Sequence, residues 1–210
     1  MTTGSRDGRL RAGAVVLAAG AGSRFGGGKL LAGLDGRPIL GHVVDAARDA
    51  GLDPIVVVEP PDGSLARVDL GAARRIPNPH PEEGLASSVR IGLRGLLDDE
   101  VDAAVILPGD QPRVRPATIR ALLAAAAEPP FTPFIVARHA GDRTPNPVLA
   151  RRSIWRLADE LAGDRGFGPV LGAHPELVRE VPIAGSNPDV DTRGDLERLG
   201  QPGPRDLDVS

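Results

Sequence analysis

Short apolar runs alternate with segments of helical spacing along the first 140 residues of the chain. The runs at 14–19, 54–58, 103–107 and 133–137 are almost entirely apolar, which is typical of strands buried on both faces of a parallel sheet. Between them, apolar residues three and four positions apart predict helices near 39–47, 85–97 and 119–123. This alternation predicts an α/β protein with a three-layer αβα, doubly wound and mostly parallel sheet in a Rossmann-like arrangement.

The pattern is less regular after about residue 140. The segment 140–152 predicts a hairpin or an extended excursion, followed by a helix near 153–161, a glycine-rich segment at 163–168 with a short helix, and a strand near 177–183. Thr192 and Asp195 have the spacing of a capping box, which predicts a final helix and places Asp191 just before it. We expect a single domain over residues 11–200, with disordered ends at 1–10 and 201–210.

Composition narrows the classes of partner. The 210 residues are 41% hydrophobic, which suffices for one buried core, and the net charge is -3 with no block of basic residues. We therefore expect neither a nucleic acid nor an anionic membrane as partner. The absence of cysteine excludes disulfides and thiolate metal sites and fits a reducing cytoplasm. The polar start and the short first apolar run predict neither a signal sequence nor a membrane span.

The first apolar run ends in a glycine-rich loop, residues 20–29, that contains Arg24 and Lys29. Lys29 is the sole lysine among 25 basic residues, which indicates that this position requires a compact ammonium group, unless one lysine has persisted by chance. Glycines allow backbone N–H groups to approach phosphate oxygens, and two cationic side chains would neutralise a polyphosphate. The alternative interpretation is a merely flexible turn.

Two familiar phosphate-binding loops do not match this segment. The dinucleotide fingerprint G-x-G-x-x-G begins at Gly20, but Phe25 occupies the position of its third glycine. The P-loop pattern fits at Lys29, but Leu30 stands where its magnesium-binding hydroxyl belongs. A dinucleotide-dependent oxidoreductase is therefore disfavoured, and a different nucleotide site is expected.

The loop belongs to a series of motifs that resembles a known family. The stretches LAAGAGSRFGGGKLL, GLASSVRIGL, LPGDQPRV, PNPVL and LAGDRGFGPVL with DVDTRGDLERL occur in order over residues 17–199. Together they resemble the nucleoside-triphosphate transferases related to those that mature the molybdenum cofactor. The sequence departs from the family pattern at Phe25, where methionine is usual, and at Pro145, where a glycine commonly stands.

The resemblance implies a reaction in which an acceptor phosphate attacks the α-phosphorus of a nucleoside triphosphate and expels pyrophosphate. It assigns Mg²⁺ to Asp110 and Asp191, two carboxylates that each follow a strand end. Arg24 and Lys29 are then the catalytic residues, which hold the β- and γ-phosphates and stabilise charge on the departing pyrophosphate. Taken singly, Asp110 also fits a turn and Asp191 a helix N-terminus.

The resemblance also assigns the nucleotide and acceptor sites. The sequence Ala18-Ala19-Gly20 is similar to the version that accompanies cytosine, which favours CTP. Besides Arg24, Lys29 and Asp110, the residues expected at the nucleotide are Leu17, Ala18, Ala19, Gly20, Gly22, Ser23, Asn78 and Ser88. The acceptor is expected at Asn146, Asp164 and Arg165. Asn78 and Ser88 also fit an Asn-Pro turn and a small helix residue.

These assignments imply a cytoplasmic cytidylyltransferase that joins CMP to the phosphate of a molybdopterin-type cofactor. Its nucleotide half would span about 11–125 and its acceptor half about 126–200, with a possible contact to a molybdoenzyme or its chaperone. The first alternative is a transferase that uses GTP, or another acceptor such as phospholactate or a sugar or polyol phosphate. A second alternative, from another class, is a non-catalytic nucleotide-binding regulator or cofactor-insertion chaperone.

Overall fold

The computed structural model describes residues 10–20, 22–140 and 145–201. Its strands are β1 (Ala12–Leu17), β2 (Gly33–Leu34), β3 (Arg37–Pro38), β4 (Ile55–Glu59), β5 (Arg74–Pro77), β6 (Ala103–Pro108), β7 (Phe134–His139), β8 (Val148–Arg151) and β9 (Val178–Ile183). Its α-helices are α1 (Ile39–Asp49), α2 (Leu85–Arg94), α3 (Pro116–Ala127), α4 (Gly168–Ala173) and α5 (Arg193–Gly200). Short 3-10 helices cover Ser23–Phe25, Lys29–Leu31, Pro81–Glu83, Arg152–Glu160, Gly163–Arg165 and Pro175–Leu177.

Seven strands form one sheet in the order β5-β4-β1-β6-β8-β7-β9. The β5-β4, β4-β1, β1-β6 and β7-β9 pairs are parallel, whereas β8 is antiparallel to both of its neighbours. The prediction of a mostly parallel sheet is confirmed. The chain leaves β1 toward β4 on one side and later returns to β6 on the other, so strand order reverses between β1 and β6. Ligands of doubly wound sheets bind at the carboxyl ends of strands at such a switch point.

Helices cover both faces of the sheet, which confirms the three-layer prediction. Alternate residues of β1 enter different cores, because successive side chains of a strand point to opposite faces. Val16 packs on one face with Ile39 of α1 and Ile119 of α3. Val15 packs on the other face with Val89 of α2 and Trp155 of the 3-10 helix Arg152–Glu160. Burial of β1 on both sides accounts for its unbroken apolar sequence.

Several boundaries differ from the sequence-based expectations. β1 is displaced toward the N-terminus of the predicted run, because Ala12 and Gly13 already pair with β6. The predicted helix near 153–161 is a 3-10 helix. β5 was not predicted, since Arg74 and Arg75 conceal an edge strand. The final helix begins with the predicted capping box.

The ends expected to be disordered lie outside the described residues, except Leu10 and Gln201. In the part of the chain that the structure describes, no helix has the length and apolar character required to cross a bilayer.

Candidate active site

The loop after β1 is fixed by two apolar side chains that enter the core. Phe25 and Leu30 are buried in the cluster around α1, and the guanidinium of Arg193 in α5 lies 5.3 Å from the Phe25 ring centroid. Gly22 and the glycines at 26–28 have positive φ angles, which the chain uses to turn twice within a few residues. The described part of the loop, residues 22–29, is therefore folded, and Arg24 and Lys29 each adjoin a buried anchor in the chain.

Lys29 joins the two aspartates to which the sequence assigned a metal. Its Nζ donates to Asp110 Oδ2 at 2.6 Å and to Asp191 Oδ1 at 3.4 Å. The Lys29 side chain is 12% exposed, that of Asp110 25% and that of Asp191 47%. Arg24 lies 3.6 Å from Asp191 and is 80% exposed. The structure thus brings together two cations and two carboxylates from three distant parts of the sequence.

Backbone contacts hold these three parts together at the carboxyl edge of the sheet. The N–H of Gly109 donates to the Leu17 carbonyl, and the N–H of Val190 donates to the Asp110 carbonyl, both at 2.9 Å. A Cβ at Gly109 would lie 2.8 Å from that Leu17 oxygen, so a side chain there would force β1 and β6 apart. Asp191 donates its N–H to Asp195 Oδ2 of the capping box at 3.1 Å. Asp110 is therefore placed by the end of β6, as expected. Asp191 does not follow a strand end as expected, because β9 ends at Ile183; the start of α5 places it instead.

A cavity of about 580 Å³ opens at this edge. Lys29, Asp110 and Asp191 are among its lining residues, and Asn146, Asp164, Arg165 and Asp189 add further polar side chains. Its walls are largely apolar and come from both sides of the sheet edge: Leu17, Leu30, Leu85, Val89, Ile106, Val148, Phe167 and Leu171. A smaller hollow of about 200 Å³ adjoins it and shares Lys29 and Asp191. A large hollow with an apolar wall and a few polar groups is typical of a small-molecule site.

Most residues assigned from the sequence line these two spaces. The larger cavity contains Leu17, Gly20, Gly22, Lys29, Asp110, Asn146, Asp164, Arg165 and Asp191, whereas Ser23 and Arg24 line the smaller hollow. Ala18 and Ala19 lie between the lining residues Leu17 and Gly20 in the sequence, but they are buried and do not line the cavity themselves. The nucleotide and acceptor roles of all these residues stay predictions.

Asn78 and Ser88 are buried and lie outside the lining of the cavity. Asn78 Nδ2 donates to Ser87 Oγ at 2.8 Å and to Ser88 Oγ at 3.0 Å, while its Oδ1 accepts from the N–H of His80 at 2.9 Å. The amide thus fastens the segment after β5 to the start of α2. Contact of these side chains with a nucleobase stays a prediction.

Asp189 is a cavity-lining carboxylate that the sequence reasoning missed. The residue as a whole is exposed, but its carboxyl group turns toward Gln111, whose Nε2 donates to Oδ1 at 2.8 Å. The pKa of Asp189 is raised above its ordinary value. Burial of the carboxyl group is the main cause, and the negative charge of Asp110 is the second. The available signal was the alternation of aspartates in the segment DVDT, residues 189–192.

The chemistry of Asp110 and Asp191 fits a hard divalent cation. Both offer carboxylate oxygens, and one positive group, the Lys29 ammonium, already contacts both. Within the described residues, no group of three or more His, Cys, Asp or Glu side chains is arranged to enclose a metal ion. Such a pair suits an ion like Mg²⁺, which is commonly held by one or two carboxylates and completed by water and substrate phosphates.

Comparison with known proteins identifies the family. Residues 14–178 match the MobA-like NTP transferase domain. The chain belongs to this family. The resemblance drawn from the motifs is thereby confirmed. The matched residues include the glycine loop and Asp110, whereas Asp189 and Asp191 of the cavity lie beyond the match.

Individual relatives agree with this assignment. The chain is 38% identical over 121 residues to the bifunctional protein GlmU of Azoarcus sp., a match that covers 54% of this chain and 25% of that protein. It is 34% identical over 103 residues to a 3-deoxy-manno-octulosonate cytidylyltransferase of Rhodospirillum centenum, which covers 48% and 40%. The chain therefore spans less than half the length of these two curated relatives.

The solved structures include Rv0371c of Mycobacterium tuberculosis. It has a TM-score of 0.77 and 30% identity, and the match covers 91% of this chain and 98% of that one. A manganese complex of the same M. tuberculosis protein has a TM-score of 0.75 and 28% identity, with 90% and 98% covered. The two proteins thus share their fold over nearly the whole of both chains.

Proposed function

We propose that the protein transfers CMP from CTP to the phosphate of a molybdopterin-type molybdenum cofactor and releases pyrophosphate in a Mg²⁺-dependent reaction. The observation that carries the proposal is the contact of Lys29 with both Asp110 and Asp191, where the glycine loop meets the lining of the cavity. Membership of the MobA-like NTP transferase family supports nucleotidyl transfer as the reaction.

In this reaction an acceptor phosphate oxygen forms a bond to the α-phosphorus, and the bond from that phosphorus to the bridging oxygen of the β-phosphate breaks. Two anions must approach each other, and unit charges about 4 Å apart repel by about 4 kcal/mol at an effective dielectric of 20. The backbone N–H groups of the glycine loop and the cations Arg24 and Lys29 would hold the triphosphate and offset this repulsion. The exposed Arg24 side chain would follow the departing pyrophosphate more freely than the enclosed Lys29.

Asp110 and Asp191 would hold the Mg²⁺ ion. Its positive charge would offset more of the negative charge on the phosphates. The manganese complex of the structurally similar Rv0371c supports the use of a divalent ion by this chain. The capping box keeps Asp191 at a helix start, and the Val190 N–H contact keeps it next to the Asp110 backbone. The chain therefore provides the two ligands at fixed points before any substrate arrives.

The choice of substrates rests on further observations. The sequence Ala18-Ala19-Gly20 and the likeness to a cytidylyltransferase support CTP. The largely apolar wall, which includes Val89, Ile106 and Phe167, supports an acceptor with a sizeable ring system. A cytoplasmic location and a contact with a molybdoenzyme or its chaperone stay predictions.

Pyrophosphate release tests the proposal directly. Purified protein with Mg²⁺ would be given CTP, GTP, ATP or UTP, each with molybdopterin, phospholactate or a sugar phosphate. We expect turnover with CTP and molybdopterin. Nucleotide binding with no turnover on any acceptor would favour a regulator, and turnover on a sugar phosphate alone would replace the acceptor named here.

Variants of the two carboxylates test the site itself. Asp110→Asn and Asp191→Asn should each abolish turnover while the protein keeps its circular dichroism spectrum, because a neutral amide binds Mg²⁺ much more weakly. Asp98→Asn, on an exposed residue outside the cavity, is the matched control. Undiminished turnover of both site variants would contradict the assignment.

A further inference from the structure

Three polar side chains form a hydrogen-bonded row beside the candidate active site. Asn187 Nδ2 donates to Gln111 Oε1 at 2.9 Å, and Gln111 Nε2 donates to Asp189 Oδ1 at 2.8 Å. Gln111 and Asn187 are almost fully enclosed, with 5% and 3% of their surface exposed. The row connects the turn after β6 to the segment that leads into α5.

This row lies next to both proposed metal ligands in the sequence. Gln111 follows Asp110 directly, and Asp189 precedes Asp191 by two positions. The Val190 N–H to Asp110 carbonyl bond joins the same two segments. A backbone bond and a side-chain bond thus fasten the two segments within a few residues of the two carboxylates.

Stability alone is a poor explanation for the row. Among the buried side-chain nitrogen and oxygen atoms of the described residues, Asn187 Oδ1 is one of two without a hydrogen-bond partner. A polar row that is satisfied only in part stabilises a core less than apolar packing of the same volume. The geometry that the row imposes on its neighbours gives it a clearer purpose.

The row also holds the carboxylate of Asp189, which would otherwise compete with Asp110 and Asp191 for a bound cation. Asp189 lines the same cavity as Lys29, Asp110 and Asp191. Its Oδ1 is taken by Gln111. Without this bond, the Asp189 side chain would be free to rotate toward the positive charge that Asp110 and Asp191 share. Gln111 therefore both fastens the segment and restrains the third carboxylate.

We propose that Gln111 is a positioning residue which, held by Asn187, fixes Asp189 and the segment up to Asp191 so that Asp110 and Asp191 jointly bind one divalent ion. The inference rests on the proposed function, in which these two aspartates are the metal ligands. Gln111 itself need not touch either substrate.

Reversal of the hydrogen bond tests this role. In Gln111→Glu the new carboxylate still accepts from Asn187 but has no hydrogen to donate to Asp189. In the double variant with Asp189→Asn, the amide at 189 donates to the carboxylate at 111, which restores the bond with its direction reversed. Asp189→Asn alone keeps the original bond, because the amide oxygen accepts from Gln111. Gln201→Glu, at the exposed position after α5 and the only other glutamine, is the matched control.

The readout is the affinity for Mn²⁺ alone, measured from the electron paramagnetic resonance signal of the free ion. We expect Gln111→Glu to weaken Mn²⁺ binding at least tenfold, although its added negative charge would by itself strengthen it. The same exchange in the Asp189→Asn background should weaken binding by less than about threefold. Gln201→Glu should match the wild type, and thermal unfolding of each variant verifies that it is folded.

Two results would overturn the inference. One is unchanged or tighter Mn²⁺ binding by Gln111→Glu, including the case in which the wild-type protein binds no Mn²⁺. The other is that Gln111→Glu weakens Mn²⁺ binding equally in the wild type and in the Asp189→Asn background. Gln111 would then be a general packing residue. Pyrophosphate release by the wild type is measured separately, so a protein that shows the expected Mn²⁺ pattern but no CTP turnover would contradict the proposed function and leave this inference standing.

Discussion

Replacement of Lys29 by methionine removes the charge shared by Asp110 and Asp191 and keeps an unbranched side chain. The Lys29–Asp110 contact of 2.6 Å corresponds to about 6 kcal/mol of attraction at an effective dielectric of 20. Desolvation offsets much of this, and loss of one partner from a buried pair typically costs about 3–5 kcal/mol. Because both side chains retain some solvent contact, we expect a loss of about 2–3 kcal/mol, or roughly 5–10 °C in Tm in metal-free buffer.

The same substitution should increase the response to a divalent ion. In the wild type, the ammonium occupies the carboxylate oxygens that a metal would use; in the variant it no longer competes. Saturation to 100 times Kd stabilises a protein by about 2.7 kcal/mol, which would restore most of the lost Tm. Turnover should nevertheless fall by about 10²–10³, the usual cost of losing one preorganised group that stabilises transition-state charge.

Thermal unfolding, carried out with and without Mg²⁺, measures the effect on stability. Pyrophosphate release measures the effect on turnover. Lys29→Arg should keep the positive charge but still lose turnover and part of the Tm, because a planar guanidinium needs more room than a compact ammonium at this enclosed position. Arg67→Met, on an exposed basic residue, controls for loss of one positive charge. The reasoning fails if Lys29→Met has the wild-type Tm without metal, or if Mg²⁺ raises its Tm no more than that of the wild type.

Three further substitutions test how the site is built. Gly22→Ala should lower kcat/KM, measured by steady-state kinetics, at least tenfold. The φ angle at this position is 54°, and the new Cβ would lie 3.3 Å from Lys29 Cβ. Gly84→Ala should raise KM for the acceptor more than KM for CTP in the same kinetic assay, because its Cβ would lie 2.4 Å from Asp164 Oδ1. The control Gly172→Ala, which has open space around it, should change neither KM. Thr192→Ala removes the cap of α5 and should cost about 1 kcal/mol in a denaturant unfolding experiment.

The sequence predicted those parts of the fold that are determined by local burial. β1 and α1 were recognised because a strand enclosed on both faces and a helix enclosed on one have distinct apolar patterns. β5 escaped recognition because an edge strand tolerates Arg74 and Arg75, which resemble loop residues. The insertion of antiparallel β8 between β6 and β7 depends on pairing between distant segments, for which a local pattern carries no information.

The candidate site divides in the same way. Asp110 follows the end of β6, and the loop that contains Lys29 begins after the end of β1; the parallel sheet brings these two strand ends to one edge. Asp189, Gln111 and Asn187 were not singled out, because their significance lies in contacts between segments more than 70 residues apart. Asn78 was assigned from its motif position, whereas its enclosure follows from the packing of α2 on the sheet.

The position of the single lysine has a steric explanation in the structure. Arg24, at the exposed rim, is 80% exposed and contacts one carboxylate at 3.6 Å. Lys29 is only 12% exposed, and a Cβ at Gly22 would lie 3.3 Å from Lys29 Cβ, so the Gly22 backbone lies close to the Lys29 side chain. A planar guanidinium needs more room than a tetrahedral ammonium at such a point. In a chain where arginine supplies every other basic side chain, the enclosed contact with two carboxylates is therefore the place where lysine is required.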